Sequence, residues 1–443
     1  MRGLVDDTST YARLKSDPTT KFQTANNNIA RRLKDLKLID FKTAKDLTTY
    51  NAICPRIYGQ PKAHKPELPL RPVIPNITAP TYQLAKYIAG ILQRSFHSPY
   101  NITNSFEFSE LVNKMQIPEG YIMISLDVVS LFTNVPRDLV RKNIIERWRE
   151  VDTNINLDMF LEIVELCMES SYFCYEGQFF MQTYGTAMGS PLSPILADIV
   201  LDSVINRALS TLPFESPIFK KYVDDIFMVI PQQTIQLVLE AFNRIEPRLQ
   251  FTVEVEKEGK LPFLDMTVIR KDSQELTTEW YAKPIASGRM LNYRSFHQPR
   301  YKMNVANNFI HRVHKLTHNK SEEEIAATIR DHLRRNNYPK QLVNRLLNLY
   351  KAKRFSTPSS TPDDQPSSLR LPTASPPRLP PPAPPPTATS SAAPPPPTIP
   401  SCQPSCQLPM TPQDNTSSRP FCQQTSPPST NDYQSSHNTQ QGE

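Results

Sequence analysis

Proline is distributed very unevenly along this chain of 443 residues. Of its 44 prolines, 23 fall within residues 356–443, which hold only two aromatic side chains, Phe421 and Tyr433. A segment with so few apolar side chains buries too little surface to offset the entropy lost on ordering. The pattern predicts that 356–443 is a disordered tail rich in Pro, Ser and Thr. It limits the folding unit to about residues 1–355, which leaves room for two or three domains.

Charge and cysteine content narrow the class of protein. Residues 1–355 carry a net charge of +9, a basic excess that suits a nucleic-acid partner. The six cysteines include no CxxC pair, which indicates a reduced, intracellular chain. No run approaches the roughly 20 apolar residues of a membrane helix, and the N-terminus lacks the apolar core of a signal peptide. The sequence therefore favours an intracellular protein without a membrane partner.

Two polyproline runs, 380–386 and 394–397, stand out within the tail. Such runs adopt the PPII helix that SH3- and WW-type domains bind. A solvated spacer is the alternative interpretation, and the composition favours it.

Hydrophobic periodicity predicts both strands and helices in the folding unit. Short apolar runs predict strands at 121–126, 222–230, 251–256 and 261–269, and a hairpin at 172–183. Amphipathic patterns predict helices at 28–38, 41–47, 81–96, 138–150, 157–170, 193–209, 304–318, 321–335 and 340–350.

Three acidic residues occupy unusual places in this pattern. Asp127 closes an apolar strand, and Asp224 and Asp225 sit at the tip of an apolar hairpin. Burying an ionised carboxylate is costly without a partner, and divalent cations are natural partners. Two Mg²⁺ ions held by such carboxylates activate a hydroxyl nucleophile and stabilise a leaving pyrophosphate. Solvated turn aspartates are the alternative interpretation of Asp224 and Asp225.

Glycine and basic residues suggest how a nucleotide is held. Gly185 and Gly189 fall in a GTAMG segment that leads through SPLSP into a predicted helix. Glycine permits close backbone approach, and the first N–H groups of a helix are free to bind. Lys62 and Arg71 lie on proline-rich extended sequence and are suited to grip a triphosphate. Each feature alone has an ordinary alternative, a strand-to-helix turn for the glycines and a solvated basic face for the cations.

Together, these segments resemble motifs A, B and C of a reverse transcriptase. They occur in the order Asp127-Val-Val-Ser-Leu-Phe132, GTAMGSPLSP at 185–194 and Tyr222-Val-Asp-Asp225. The wider sequence is similar to Penelope-like retroelements, from about residue 7 to residue 350. The segments that carry this similarity are IYGQPKAHK at 57–65, LRPVIP at 70–75, SLDVVSLFTNVP at 125–136, GTAMGSPLSPILADI at 185–199, LPFLDMTVI at 261–269 and YAKPIASGRMLNYRSFHQPRYK at 281–302.

The resemblance implies an α+β right-hand polymerase with fingers, a palm built on an antiparallel sheet, and a helical thumb. It divides the chain into an N-terminal helical segment at 1–50, fingers and palm at 51–280, a thumb-like region at 281–355 and the tail. The implied activity is that of an RNA-directed DNA polymerase, a nucleotidyltransferase that extends a DNA primer 3′-OH along an RNA template with dNTPs. The implied cofactors are two Mg²⁺ ions, with Mn²⁺ as an alternative.

The resemblance also assigns residues by position. Asp127 and Asp224 are the implied metal ligands, Asp225 completes the catalytic set, and Val128 lends a backbone carbonyl to the metal. The implied nucleotide-binding residues are Lys62 and Arg71 near the triphosphate, Phe132 beside the sugar, and Gly185, Gly189 and Ser190 against the nascent pair. Phe132 disfavours an RNA-dependent RNA polymerase. Lys257 and Lys260 are alternative candidates for a lysine that protonates pyrophosphate.

The chain departs from its relatives at both ends. Penelope-like proteins extend further upstream, and full-length members often carry a GIY-YIG endonuclease domain that residues 356–443 do not match. We therefore expect a shortened element product. A catalytically inactive nucleic-acid-binding remnant is the alternative to the enzyme. The retroelement resemblance implies a nuclear site of action.

Other side chains in the thumb-like region have two interpretations. His311, His314 and His318 share one helical face, which suits either zinc or, as we favour, a basic helix that faces nucleic acid. A second set of aromatic residues could stack on bases or pack in a core: Tyr281, Tyr293 and Phe296.

Overall fold

The computed structural model of the protein describes residues 2–62 and 68–356. The predicted tail, with its proline runs, lies outside these residues from position 357 onward, as does the tip of the basic segment at 63–67. Within the described residues, no helix is both long enough and apolar enough to cross a membrane.

Helices and strands alternate through the described residues. The helices are α1 (Arg2–Val5), α2 (Thr19–Asp35), α3 (Phe41–Leu47), α4 (Tyr82–Ser95), α5 (Ser105–Val112), α6 (Leu131–Asn134), α7 (Arg137–Glu146), α8 (Leu157–Glu169), α9 (Ser193–Leu209), α10 (Ile235–Asn243), α11 (Pro299–Leu316), α12 (Glu322–Arg335) and α13 (Lys340–Ser356). The strands are β1 (Tyr11–Leu14), β2 (Tyr58–Pro61), β3 (Leu70–Val73), β4 (Tyr121–Val128), β5 (Tyr172–Tyr175), β6 (Gln178–Gln182), β7 (Phe219–Tyr222), β8 (Asp225–Pro231), β9 (Phe251–Val255), β10 (Lys260–Phe263), β11 (Met266–Arg270) and β12 (Leu276–Trp280).

A four-stranded antiparallel sheet in the order β7-β8-β4-β9 forms the centre of the fold. Side chains alternate between its faces because the strand period is two residues. On β4, Ile124 and Leu126 face one core, whereas Met123 faces the other. The sheet is therefore buried on both faces, which explains the nearly continuous apolar runs in its sequence.

The first core lies between this sheet and helices that include α4, α8, α9 and α10. The second core covers the opposite face and is closed by α5 and the three-stranded sheet β10-β11-β12. At its centre the rings of Phe108, Phe227 and Phe263 form a triangle with centroids 4.8–5.4 Å apart. Phe227 lies two residues after Asp225 on β8, so this aromatic cluster supports the strand that carries the acidic pair.

A third core joins α11, α12 and α13. A capping box begins α12, where Ser321 and Glu324 satisfy each other's backbone N–H groups. The basic face of α11 that we expect to meet nucleic acid does not include His314. His314 is buried and stacks on Tyr350 at 4.6 Å, whereas His311 and His318 are exposed.

His311 of α11 and His318, two residues beyond its end, also have protein neighbours. His311 packs edge-on against Phe106, and His318 lies 3.1 Å from the hydroxyl of Thr278. Among the described residues, no group of three or more His, Cys, Asp or Glu side chains is arranged to hold a metal ion. The zinc interpretation therefore has no support in this part of the chain.

Two smaller sheets flank the central one. The hairpin β2–β3 carries the proline-rich segment, and β1-β6-β5 forms a three-stranded antiparallel sheet. Ile57, Ile74 and Ala187 pack in a shared small core with Phe173 and Phe180. This core brings the end of the β2–β3 hairpin beside the GTAMG segment.

Most predicted elements are present, although α2 begins nine residues before the predicted start at 28 and α13 ends six residues after the predicted end at 350. The single strand predicted at 261–269 is wrong, because Leu264 adopts a positive φ of 55° and divides it into β10 and β11. Six elements were not predicted: α1, α5, α6, α10, β1 and β12. The division into domains at residues 50, 280 and 355 stays a prediction.

We expect Phe108→Ala to destabilise the protein by about 3–5 kcal/mol, because it removes a fully buried ring from the triangle beneath β8. The control is Phe41→Ala at the exposed start of α3, which should change stability by less than ~0.5 kcal/mol. Urea unfolding followed by circular dichroism measures both. Equal shifts for the two variants would show that the aromatic triangle does not support the sheet.

Candidate active site

The turn between β7 and β8 carries the acidic pair. β7 ends at Tyr222 and β8 begins at Asp225, so Val223 and Asp224 form a two-residue turn. Val223 adopts a positive φ of 57°, which is costly for a β-branched residue. Such strain persists only where the surrounding structure imposes it, and it is frequent at functional sites.

The register of the central sheet brings the third acid to this turn. Asp127 on β4 is paired directly with Asp225 on β8. Both belong to the face of the sheet that carries Met123 and Phe227, at the end where that apolar core gives way to a cleft. The structure therefore places Asp127 directly opposite Asp225, with Asp224 in the adjoining turn.

Burial and mutual repulsion perturb two of these carboxyl groups. Burial, followed by the charges of Asp224 and Asp127, raises the pKa of Asp225 to about 6. Burial also raises the pKa of Asp224, with a further contribution from Asp127. Three partly buried carboxylates are unfavourable without positive charge.

The chemistry of this donor set fits divalent cations. Hard cations such as Mg²⁺ bind carboxylate and carbonyl oxygens, and the repelling carboxylates lack a compensating ion pair among the described salt bridges. The Val128 backbone lies at the end of β4 beside Asp127, paired with Phe251. The fit is one of charge and atom type, since the side chains do not converge as a ready metal cluster within the described residues.

Two basic residues of the β2–β3 hairpin region influence the ionisation of Asp224. The charges of Arg71 and Lys62 both lower the pKa of Asp224, opposing the effect of burial. Arg71 is exposed on β3, and Lys62 follows β2 and donates its backbone N–H to the Pro69 carbonyl at 2.8 Å. The hairpin therefore presents positive charge toward the acidic turn.

The GTAMG segment is bound to this hairpin by its backbone. The Ile74 N–H donates to the Met188 carbonyl at 2.8 Å. Gly189 has a φ of 128°, and a Cβ there would overlap the Ile74 carbonyl oxygen. Only glycine permits this close approach.

The same segment also contacts the turn that follows β4. The Thr186 N–H donates to the Phe132 carbonyl at 2.7 Å, and a Cβ on Gly185 would lie 2.5 Å from the Thr133 carbonyl oxygen. Ser190 is buried and closes the segment with a hydrogen bond from its N–H to Ala187. Phe132, Gly185, Gly189 and Ser190 thus belong to one continuous backbone assembly.

A cleft of about 580 Å³ opens beside the acidic residues. Its walls include Asp127, Asp225, Tyr281, Lys283 and Ile285. The charge of Lys283 lowers the pKa of Asp225, although burial outweighs it. Sequence reasoning missed Lys283 as a site residue, and its only signal was its place in the segment 281–302.

Segment 281–302 is basic and leads from the cleft to α11. It contains five Lys or Arg residues and no acid. Asn336 holds it, because the N–H groups of Met290 and Tyr293 donate to that residue at 2.7 and 3.0 Å. Tyr293 packs on Tyr338, which supports the core interpretation, whereas Phe296 is fully exposed.

We expect Asp225→Asn to raise the thermal midpoint of the metal-free protein at pH 7.5 by a few degrees. Because the folded pKa of about 6 lies above the ordinary value of 3.8, the folded state binds a proton more tightly between these values. Wild-type stability therefore falls as the pH rises through 6, and the advantage of the variant should shrink toward pH 5.

Calorimetry in EDTA at pH 5 and pH 7.5 measures this effect. The control is Asp46→Asn at an exposed position of α3, which should give no pH-dependent gain. A gain for Asp225→Asn that is equal at both pH values would contradict burial of a charged carboxylate.

Several known proteins resemble this chain in structure. A telomerase of Candida tropicalis without its C-terminal domain is 14% identical with a TM-score of 0.39, covering 51% of this chain and 54% of that one. A Candida albicans telomerase is 11% identical with a TM-score of 0.46, covering 79% and 63%. A Sicinivirus RNA-dependent RNA polymerase is 12% identical with a TM-score of 0.43, covering 63% of each. At these values the likeness carries no functional information, and the chain spans less than two thirds of each of these proteins.

Comparison of the sequence with protein families is more informative than the structural likeness. A comparison with curated proteins found no match. Residues 289–348 match the animal helix-turn-helix domain, which covers most of α11 to α13. Residues 9–260, more than half of the chain, match the reverse transcriptase (RNA-dependent DNA polymerase) family. The match includes the central sheet, the acidic turn and the GTAMG segment, and the expected α+β right-hand polymerase fold is confirmed. The chain belongs to the reverse transcriptase family.

Proposed function

We propose that this protein is a Penelope-like RNA-directed DNA polymerase that extends a DNA primer on an RNA template. One observation carries the proposal: Asp127 faces Asp225 across β4 and β8, and Asp224 occupies the strained turn beside them. The site lies at a cleft and is opposed by the basic β2–β3 hairpin. A nuclear site of action belongs to the same proposal.

The reaction joins two substrates held by different parts of the site. The primer 3′-oxygen forms a bond to the α-phosphorus of a dNTP while the bond from that phosphorus to the pyrophosphate oxygen breaks. Asp127 and Asp224, with the Val128 carbonyl, would hold two divalent ions, and Asp225 would complete the negative site. When bound, the ions supply Lewis-acid activation of the hydroxyl and charge neutralisation at the pyrophosphate.

The chain's own cations and backbone have complementary tasks. Lys62 and Arg71 would bind the triphosphate, because both are near enough to the acidic turn for their charges to lower the pKa of Asp224. The backbone assembly of Phe132, Gly185, Gly189 and Ser190 would form the surface for the sugar and the nascent base pair. Fixing the two reactants in one geometry provides much of the rate enhancement in reactions of this kind.

The nucleic acid would leave the cleft along segment 281–302. Its five basic residues suit phosphates, and the exposed ring of Phe296 suits stacking on a base. In this proposal residues 51–280 form fingers and palm, and residues 281–355 form the thumb.

We expect Asp127→Asn and Asp224→Asn each to reduce primer extension by at least about 100-fold, because each removes a carboxylate that stabilises transition-state charge. Extension of a labelled DNA primer on an RNA template with dNTPs and Mg²⁺ measures the rate, and filter binding measures affinity for the duplex. Affinity should stay within a few fold of wild type. Asp46→Asn is the control for loss of a carboxylate alone.

The same assay distinguishes the enzyme from an inactive remnant. A wild-type chain that binds the RNA–DNA duplex without extending it would favour the remnant. Activity of Asp127→Asn or Asp224→Asn within a few fold of wild type would overturn the assignment of the site.

Phe132 provides a separate test of sugar selection. If its ring lies beside the sugar, it excludes a 2′-hydroxyl, so Phe132→Val should raise the use of ribonucleotides relative to deoxynucleotides by at least tenfold, or ~1.4 kcal/mol. Single-nucleotide incorporation opposite the same template base measures the ratio. Equal loss of both substrates would mean that the ring serves only to pack against the first core, which it contacts.

A further inference from the structure

A buried ion network lies directly behind the acidic turn. Lys221 on β7 is completely buried, and its Nζ contacts the carboxylates of Asp198 and Asp202, the latter at 3.1 Å. The two acids are four residues apart on α9, so they lie on one face of that helix. Lys221 is three residues before Asp224.

The network is fixed by further hydrogen bonds. Ser98 donates to Asp202 at 2.8 Å, and Asn101 donates to Asp198 at 2.9 Å. The Lys221 backbone is also held, because its N–H donates to the Tyr100 carbonyl and its own carbonyl accepts from Ile102. The network therefore joins three separate segments: β7, α9 and the chain at 98–102.

This arrangement is unfavourable as a source of stability alone. One buried cation faces two carboxylates, and burial raises the pKa of Asp202 despite the opposing charge of Lys221. Buried ion networks of this kind are often no more stable than apolar side chains of similar volume. A structural role in setting geometry explains such a network better than a contribution to folding energy.

The network connects two parts of the candidate site, the GTAMG segment and the acidic β7–β8 turn. α9 begins at Ser193, within the SPLSP sequence that follows the GTAMG segment, so its N-terminus adjoins the surface assigned to the nucleotide. Its second and third turns carry Asp198 and Asp202. Lys221 connects these turns to the strand that presents Asp224 and Asp225.

We propose that Lys221 is a positioning residue that fixes the acidic β7–β8 turn relative to α9 and its nucleotide-binding N-terminus. The proposal rests on the proposed polymerase function for its kinetic consequence. A displacement of about 1 Å between reacting groups can cost 100-fold in rate, so a loose connection would reduce turnover rather than substrate binding.

The principal test replaces the whole network by neutral groups in the full chain. Lys221→Met combined with Asp198→Asn and Asp202→Asn leaves no unpaired buried charge, so we expect it to melt cooperatively within a few degrees of wild type. On an RNA template with a DNA primer, dNTPs and Mg²⁺, kcat should fall at least tenfold, whereas KM for dNTP and affinity for the duplex stay within threefold.

A second buried ion pair of the palm provides the matched control. Arg270 pairs with the buried carboxylate of Glu256, which also accepts the Met123 N–H at 3.0 Å, away from the acidic turn. Arg270→Met combined with Glu256→Gln should leave kcat within threefold of wild type. Equal losses of kcat in the two neutralised variants would overturn the positioning role.

Single variants of the two carboxylates provide a second test. If the triple variant does not melt cooperatively, the single variants Asp198→Asn and Asp202→Asn, which each leave Lys221 one carboxylate, should lower kcat two- to fivefold with unchanged melting. Wild-type activity in either of them would count against the proposal.

Amide hydrogen exchange separates this proposal from the proposed function. In the triple variant the amides of residues 219–226 should exchange at least tenfold faster than in the Arg270–Glu256 control. If the wild-type chain does not extend primers, the polymerase proposal fails, while faster exchange confined to this turn still supports positioning by Lys221. Unchanged exchange in the turn would overturn it.

Discussion

The register between β4 and β8 is the constraint on which the site depends. Because side chains alternate along a strand, a shift of one residue would move Asp127 to the opposite face, away from Asp225. Both faces of these strands are buried, so a shift would also exchange the residues of two separate cores. The apolar packing that stabilises the sheet therefore also determines where its carboxylates meet.

Negative and positive charges lie in different parts of the structure around the acidic turn. The acids accumulate at one end of the central sheet, where burial makes their ionisation unfavourable. Positive charge reaches them from two directions, the β2–β3 hairpin and Lys283 in segment 281–302. Neither source is a direct ion pair with the acids among the described residues, so the negative site stays open to a cationic ligand.

The sequence predicted those features that depend on local pattern. The apolar run that ends at Asp127 and the apolar hairpin with Asp224 and Asp225 at its tip could be recognised from the sequence, and so could the long helices from their period. The split of 261–269 could not, because the turn at Leu264 has neither glycine nor asparagine to mark it.

The features that the sequence did not predict depend on contacts between distant segments. His314 appeared to belong to a basic surface, but its partner Tyr350 lies 36 residues away on α13. Lys221 resembled an ordinary basic residue, since nothing local connects it to α9. The absence of a Cβ at Gly189 was interpreted as room for a ligand, whereas the nearest neighbour of that position is the backbone at Ile74.

That contact couples the β2–β3 hairpin to the start of α9. The Ile74 N–H is bound to Met188, and Gly189 leaves no gap in which the two backbones could slide. A ligand that shifts Arg71 and its strand would therefore also shift the first turn of α9. If the hairpin binds the triphosphate as proposed, its position and that of the surface beneath the base would be set together by this main-chain contact, which a substitution at Gly189 would disrupt.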